Sequence, residues 1–208
     1  MAGRSGRVEA HTRGEARESI LVAALQIFSE RGFDGTTTRE VAAAAGVNLG
    51  LITYYFGNKE KLWKAAVDRA FEGLRDALAG ALADDSDVRD QLEAVIRICV
   101  SFAGHNPAIV RLMNEEGRRP GPRMRWHVDR HGKPLFDLAT SILERARREG
   151  VVADVAPLHL YYMFIGAVGM IFSQAPECLR LSGTDPTAAE DVIATHADAV
   201  VRLFMPEG

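Results

Sequence analysis

Between Gly32 and Asn58 the chain alternates helix-stopping and helix-starting residues at intervals that leave room only for two short helices. Thr37 followed three residues on by Glu40 is a capping box: each end supplies a side-chain oxygen to a backbone N–H of the other, and a helix starts there. The run Val41-Ala42-Ala43-Ala44-Ala45 continues it, and Gly46 stops it. Asn48 predicts the N-cap of a second short helix ending near Phe56-Gly57, and Asn58 caps another that opens Lys59-Glu60-Lys61-Leu62-Trp63. Upstream, a helix over about 15–31 places Ile20, Ala24, Ile27 and Phe28 on one face and ends at Arg31-Gly32. Apolar and polar residues nowhere alternate for long, whereas spacings of three and four recur, so the fold class is all-α.

Two short helices joined at Gly46-Val47-Asn48 form a helix-turn-helix, in which the second helix can enter a major groove. Gly46 allows the positive φ of a tight turn, and Val41, Val47 and Ile52 supply a small shared core. The net charge of -3 argues against binding nucleic acid when averaged over the chain. From Val41 to Lys59, however, the only ionisable side chains are Tyr54, Tyr55 and Lys59. Phosphate contact is local on the scale of a Debye length of ~8 Å, so the absence of carboxylates there outweighs the global sum.

Four segments carry a resemblance to the TetR family of regulators: Ile20-Leu21-Val22-Ala23-Ala24-Leu25, Phe28 to Thr37, Val41 to Val47, and Ile52 to Leu62. The resemblance implies an N-terminal three-helix DNA-binding domain with a helix-turn-helix, plus a larger C-terminal helical domain for ligand binding and dimerisation. The expected division is a flexible arm over 1–14, a DNA-binding domain over 15–58, and a sensing and dimerisation domain over 59–208. At the start of the second helix, the Thr37 amide and hydroxyl suit a phosphate, and Thr38 and Arg39 share that turn. Asn48, Leu49, Gly50, Thr53 and Tyr54 are the candidates for the groove. Tyr55 and Lys59 resemble the family's phosphate-clamping Tyr and Lys. Leu49 and Leu51 stand where many relatives have polar or basic residues, so base choice is expected to lean on Thr53, Tyr54, methyl contacts and DNA shape.

Longer amphipathic helices are predicted near 59–82, 87–104, 107–117, 122–149, 157–174 and 185–205, broken at Asp84-Asp85-Ser86 and at Pro- and Gly-bearing turns. On the last two, Tyr162, Ile165 and Gly169 form one apolar stripe, and Val192, Ile193, His196, Val200 and Phe204 another. Such stripes suit plain core or an interface; the family, whose last two helices pair as a four-helix bundle, implies an interface between two copies. Phe71, Phe102, His105, Met113, Trp126, Tyr161 and Phe164 are candidates for an effector pocket, being the aromatics and Met that suit a mostly apolar small molecule. His127 and His131 have a metal-ligand spacing, but Gly132-Lys133-Pro134 follows and the segment is basic, so solvated surface or a ligand-facing polar cluster is expected and no metal.

No Gly-rich phosphate loop, Gly-x-Ser-x-Gly, His-Glu-x-x-His or Cys/His nucleophile pair occurs, so the chain is expected not to be an enzyme and to need no cofactor. Cys99 and Cys178 are far apart and read as reduced, buried thiols. No apolar stretch reaches ~18 residues and Met1 to Arg13 lacks a secretory core, so a cytoplasmic protein without a membrane span is expected. The partners expected are a palindromic double-stranded operator, a small-molecule effector and a second copy of the chain. A repressor is the first reading, with an activator, a helical enzyme or a protein-binding module as alternatives.

Overall fold

Gly32 ends the first straight run of helix, as its place after Arg31 predicts. Its φ of 69° and ψ of 175° break the ladder inside α1 (Gly3–Gly35). The structure, a computed structural model, describes residues 3–83 and 86–206, with side chains described from Gly14 onward. α1 begins at Gly3, where the sequence reading placed an arm over 1–14; the span 3–35 contains no Pro to interrupt it. Three further helices follow: α2 (Thr38–Ala44), α3 (Leu49–Phe56) and α4 (Lys59–Leu82). The predicted caps form. The Asn48 side chain accepts the Gly50 N–H, and Asn58 accepts the Lys61 N–H. Gly46, at φ 67°, takes the left-handed turn after α2, while its N–H and that of Val47 return to the Ala43 and Ala42 carbonyls.

The chain divides into two compact units, Met1–Phe71 and Glu72–Gly208. The first unit therefore runs past residue 58, because the opening turns of α4 bury Leu62, Trp63, Ala66, Val67 and Phe71. With Ile20, Leu21, Ala24, Phe28, Val41, Ala42, Ile52 and Phe56, these make the first unit's core. Between α1 and α2, Thr36 is 1% exposed and its hydroxyl donates to the Gly32 carbonyl at 2.8 Å. Thr36→Val keeps the shape and strands that carbonyl, so it is expected to cost about 1–2 kcal/mol and to lower the thermal midpoint. An unchanged midpoint would mean that the hydroxyl does not hold this turn.

The second unit has only helices as regular elements among its described residues: after the end of α4 come α5 (Val88–His105), α6 (Pro107–Gly117), α7 (Pro122–His127), a π-helical turn (Val128–Gly132), α8 (Lys133–Arg148), α9 (Pro157–Ser173), α10 (Ala175–Ser182) and α11 (Glu190–Phe204). Asp84 and Asp85, read above as a break, lie outside the described residues. α5 is the central element, packed on α8, α9 and α11, and Arg97 bridges Glu93 and Asp198 across the α5–α11 seam. α11 starts later than predicted because Asp185 caps its own turn, accepting the Thr187 N–H and hydroxyl. α10 was not foreseen; Pro176 sits in its first turn, where the missing N–H costs nothing.

The predicted helix 122–149 is continuous but widens at the π-turn, where the Lys133 N–H reaches back to the Val128 carbonyl. That wider turn absorbs Pro134, whose ring and missing N–H do not fit an α-helical interior. It also turns His131 inward to 1% exposure, so of the two expectations for this pair, solvated surface does not hold for His131. His131 meets the Trp126 ring edge-on at 5.5 Å and lies 6.1 Å from His127. Burial, aided by the neighbouring His131, pushes His127 down to about 4. The unfolded chain then takes up this proton first, so stability is expected to fall by up to about 3 kcal/mol as pH drops from about 6.5 to 4. His127→Gln should flatten that limb in urea melts across pH; an unaltered acid limb would refute the assignment. His105 has the opposite sign: hydrogen bonds to Glu190 and the Ser101 carbonyl raise it, so its small contribution is present at low pH and lost as pH rises through its folded value.

Candidate nucleic-acid interface

α2 and α3 present a face whose outward side chains are almost uncharged. Asn48, as N-cap, fixes where α3 begins, and Gly50 leaves space for it: a Cβ at residue 50 would lie 2.9 Å from the Asn48 Oδ1. Leu49, Gly50, Thr53 and Tyr54 all point outward, and Tyr54 is 74% exposed with its ring edge-on to Tyr55 at 5.1 Å. Ile52 and Phe56 turn into the core on the opposite side. Beside this face, Arg39 is exposed and Thr38 half-buried in the first turn of α2. Thr53 and Tyr54 offer hydroxyls to base edges, and the Thr and Leu methyl groups suit the methyl of thymine.

Two of the expected phosphate ligands, Thr37 and Lys59, also make hydrogen bonds inside the protein. The Thr37 N–H and hydroxyl both donate to the Glu40 carboxylate at 2.9 Å, and the hydroxyl accepts the Glu40 N–H. These bonds, and Arg31 at 2.5 Å, hold the Glu40 carboxyl below its usual range. Reciprocal capping thus engages the same Thr37 donors that the sequence reading offered to a phosphate. Lys59 likewise donates to the Phe33 and Thr36 carbonyls, each at 2.8 Å, with its ammonium 4.4 Å from the Phe33 ring centre. The sequence reading missed Arg31 and Thr36 as partners of this turn. The Arg31–Glu40 pair spans nine residues and the Lys59 contacts span 26 and 23, separations that no local spacing rule covers.

In the second unit the expected pocket residues scatter. His105 is exposed and paired with Glu190 at 2.6 Å, so it lines no interior. Phe71 belongs to the first unit. Phe164 is core, edge-on to Phe204, while Tyr161 meets Phe136 edge-on at 4.8 Å and burial raises its hydroxyl. Phe102, Met113 and Trp126 are half-buried.

The expected interface residues also divide. Tyr162 and Ile165 are exposed, but Gly169, Ile193, Val200 and Phe204 are buried within the protomer. Val192 is half-buried, and His196 donates through Nε2 to the Ala167 carbonyl at 2.8 Å. The stripe on α11 faces α5, not solvent: a Cβ at Gly104 would lie 2.7 Å from Ile193. The apolar side chains left outward on these two helices are Leu158, Tyr162, Met163, Ile165 and Met170 on α9 and Leu203 on α11. Both cysteines are free and half-buried, and burial pushes the Cys99 thiol up to about 12. Among the described residues no single helix is long and apolar enough to cross a membrane.

Two family models match the chain. "Bacterial regulatory proteins, tetR family" covers residues 20–66, and "Tetracyclin repressor-like, C-terminal domain" covers residues 89–203. The HTH-type transcriptional regulator RutR of Escherichia coli (strain K12) is 27% identical over 192 residues, spanning 92% of this chain and 89% of that protein. The HTH-type transcriptional repressor NicS of Pseudomonas putida is 25% identical over 166 residues, 78% of each. Among solved structures, AibR in complex with isovaleryl coenzyme A and operator DNA superposes with a TM-score of 0.74 at 20% identity, covering 93% of this chain and all of that one.

Proposed function

The chain belongs to the TetR family of bacterial regulatory proteins, a ligand-responsive DNA-binding regulator and not an enzyme, and from that we propose that it is a repressor that occupies a palindromic operator as a homodimer. The observation that carries the reading is the outward face of α3: Leu49, Gly50, Thr53 and Tyr54, set by the Asn48 cap and free of carboxylates. A two-fold axis places two such helices in successive turns of one groove face, about 34–36 Å apart. Thr38 and Arg39 on α2 and Tyr55 on α3 are the remaining candidates for the backbone. The exposed apolar side chains of α9 and α11 are the surface offered to a second copy.

Regulation requires only that an effector bind the DNA-incompetent arrangement better, by about 1–3 kcal/mol. α4 runs unbroken from Lys59 to Leu82, out of the reading unit and into the sensing unit, and is the element through which that bias passes. The effector is a small, mostly apolar molecule taken up by the second unit, where Phe102, Met113, Trp126 and Tyr161 remain as half-buried candidates to meet it, and the protein acts in the cytoplasm, where its operator is. Retarded migration of the DNA upstream of its own coding sequence, released by a small, mostly apolar compound, is the expected result. A shift that no compound in a broad metabolite panel releases would reject the sensing half. No shift at all would reject the whole reading in favour of a protein-binding helical module.

A further inference from the structure

His127 opens the π-helical turn of the second unit and His131 lies within it. The His131 ring, 1% exposed, stands edge-on to Trp126 at 5.5 Å and 6.1 Å from the His127 ring. Two imidazoles and an indole thus bring hydrogen-bonding nitrogens to one place. Burying imidazoles costs solvation that plain core packing does not require, and single π-turns inside helices are frequent at functional sites.

Gly132 ends the turn with φ -63° and ψ -49°, a helical conformation that any residue adopts. Glycine there is destabilising relative to alanine, so its backbone freedom is not what the position uses. A Cβ would stand 3.9 Å from the His127 Nε2 and 3.9 Å from the Val128 Cβ, ordinary contacts without a clash. The missing methyl leaves space beside that nitrogen, on a half-buried stretch of chain. The exposed charges over 122–133 are Arg125, Asp129, Arg130 and Lys133, a balance that disfavours a cation. Burial holds His127 down at about 4, so near neutral pH its ring is uncharged and offers one donor and one acceptor. A carboxylate would have to bring a proton with it, whereas an uncharged group pairs with the neutral ring as it stands.

We propose that His127 and His131 form the polar end of the effector site and take an uncharged donor–acceptor group, of which a carboxamide is the simplest, on an otherwise apolar molecule. The inference rests on the ligand-sensing reading above and names the chemistry of that ligand.

Trp126 reports occupancy directly, because the only other tryptophan, Trp63, is fully buried in the first unit. Phenylacetamide, phenylacetate and isobutylbenzene share one shape and differ in a neutral polar, an anionic and an apolar head. Phenylacetamide is expected to change Trp126 emission with an affinity about tenfold above the other two, the worth of one net hydrogen bond. The change should be absent from Trp126→Phe. In His131→Phe, which keeps an aromatic ring against Trp126, the preference for phenylacetamide over isobutylbenzene should vanish. Gly132→Ala should raise the melting midpoint and yet weaken phenylacetamide several-fold, an opposition that a merely structural role does not produce.

Equal or tighter binding of phenylacetate, a preference that survives His131→Phe, or no response to any of the three would overturn the proposal. Should His131→Phe fail to melt cooperatively, Gly132→Ala carries the test, since both imidazoles remain. Unchanged affinity for phenylacetamide in that variant would overturn it. Release of operator DNA is read separately: binding in the expected pattern without release upholds the site and rejects its role in sensing.

Discussion

Replacing Trp63 by alanine is expected to remove about 3–5 kcal/mol from the reading unit, the range found for aromatic truncation in a closed core. Trp63 is fully buried and heads the set of largest wholly enclosed side chains. It lies one turn into α4, in the core that also holds Ile20, Phe28, Val41, Ile52 and Phe56. Everything that presents α3 is anchored there, so the loss is a large share of the 5–15 kcal/mol that typically separates folded from unfolded. Operator binding should vanish well below the wild-type melting temperature, and helicity measured by circular dichroism should show an early transition. A variant that binds DNA normally up to the wild-type midpoint would mean that Trp63 is not central to this core.

Introducing glutamate at Tyr162 and Leu203 together is expected to give a monomer. Both side chains are more than 60% exposed in the protomer, and they belong to the apolar surface left by α9 and α11. An interfacial anchor is commonly worth 2 kcal/mol or more, and two buried carboxylates without partners add a desolvation cost of their own. Light scattering at micromolar concentration should report one chain. Affinity for a palindromic duplex should fall about a hundredfold, because each reading head then binds alone. Persistence of the dimer would move the interface elsewhere.

Much of the reading unit is legible because its decisive signals are local. The Thr37–Glu40 box, the Asn48 and Asn58 caps and the turns at Gly32 and Gly46 each depend on a few consecutive residues, and each forms as spelled. The same locality explains what the sequence leaves open. The donors of Thr37 and Lys59 are identical in sequence whether they face a phosphate or the protein's own oxygens. Only the folded chain shows Glu40 on one and the Phe33 and Thr36 carbonyls on the other. Periodicity on α11 likewise marks Ile193, Val200 and Phe204 as buried without saying on what, and the answer is α5. The π-turn at 128–132 has no sequence sign beyond Pro134, a residue that reads as a helix breaker until a wider turn makes room for it.

The central claim is that α3 of a two-fold dimer reads DNA, and selection of bound sequences from a random duplex library by the full-length chain tests it most directly. The account predicts an enriched inverted repeat whose half-sites are centred about one helical turn apart. Substituting Thr53 or Tyr54 by alanine should relax the choice of base within each half while leaving the spacing intact. Enrichment of no sequence, or of a single unpaired half-site, would contradict it.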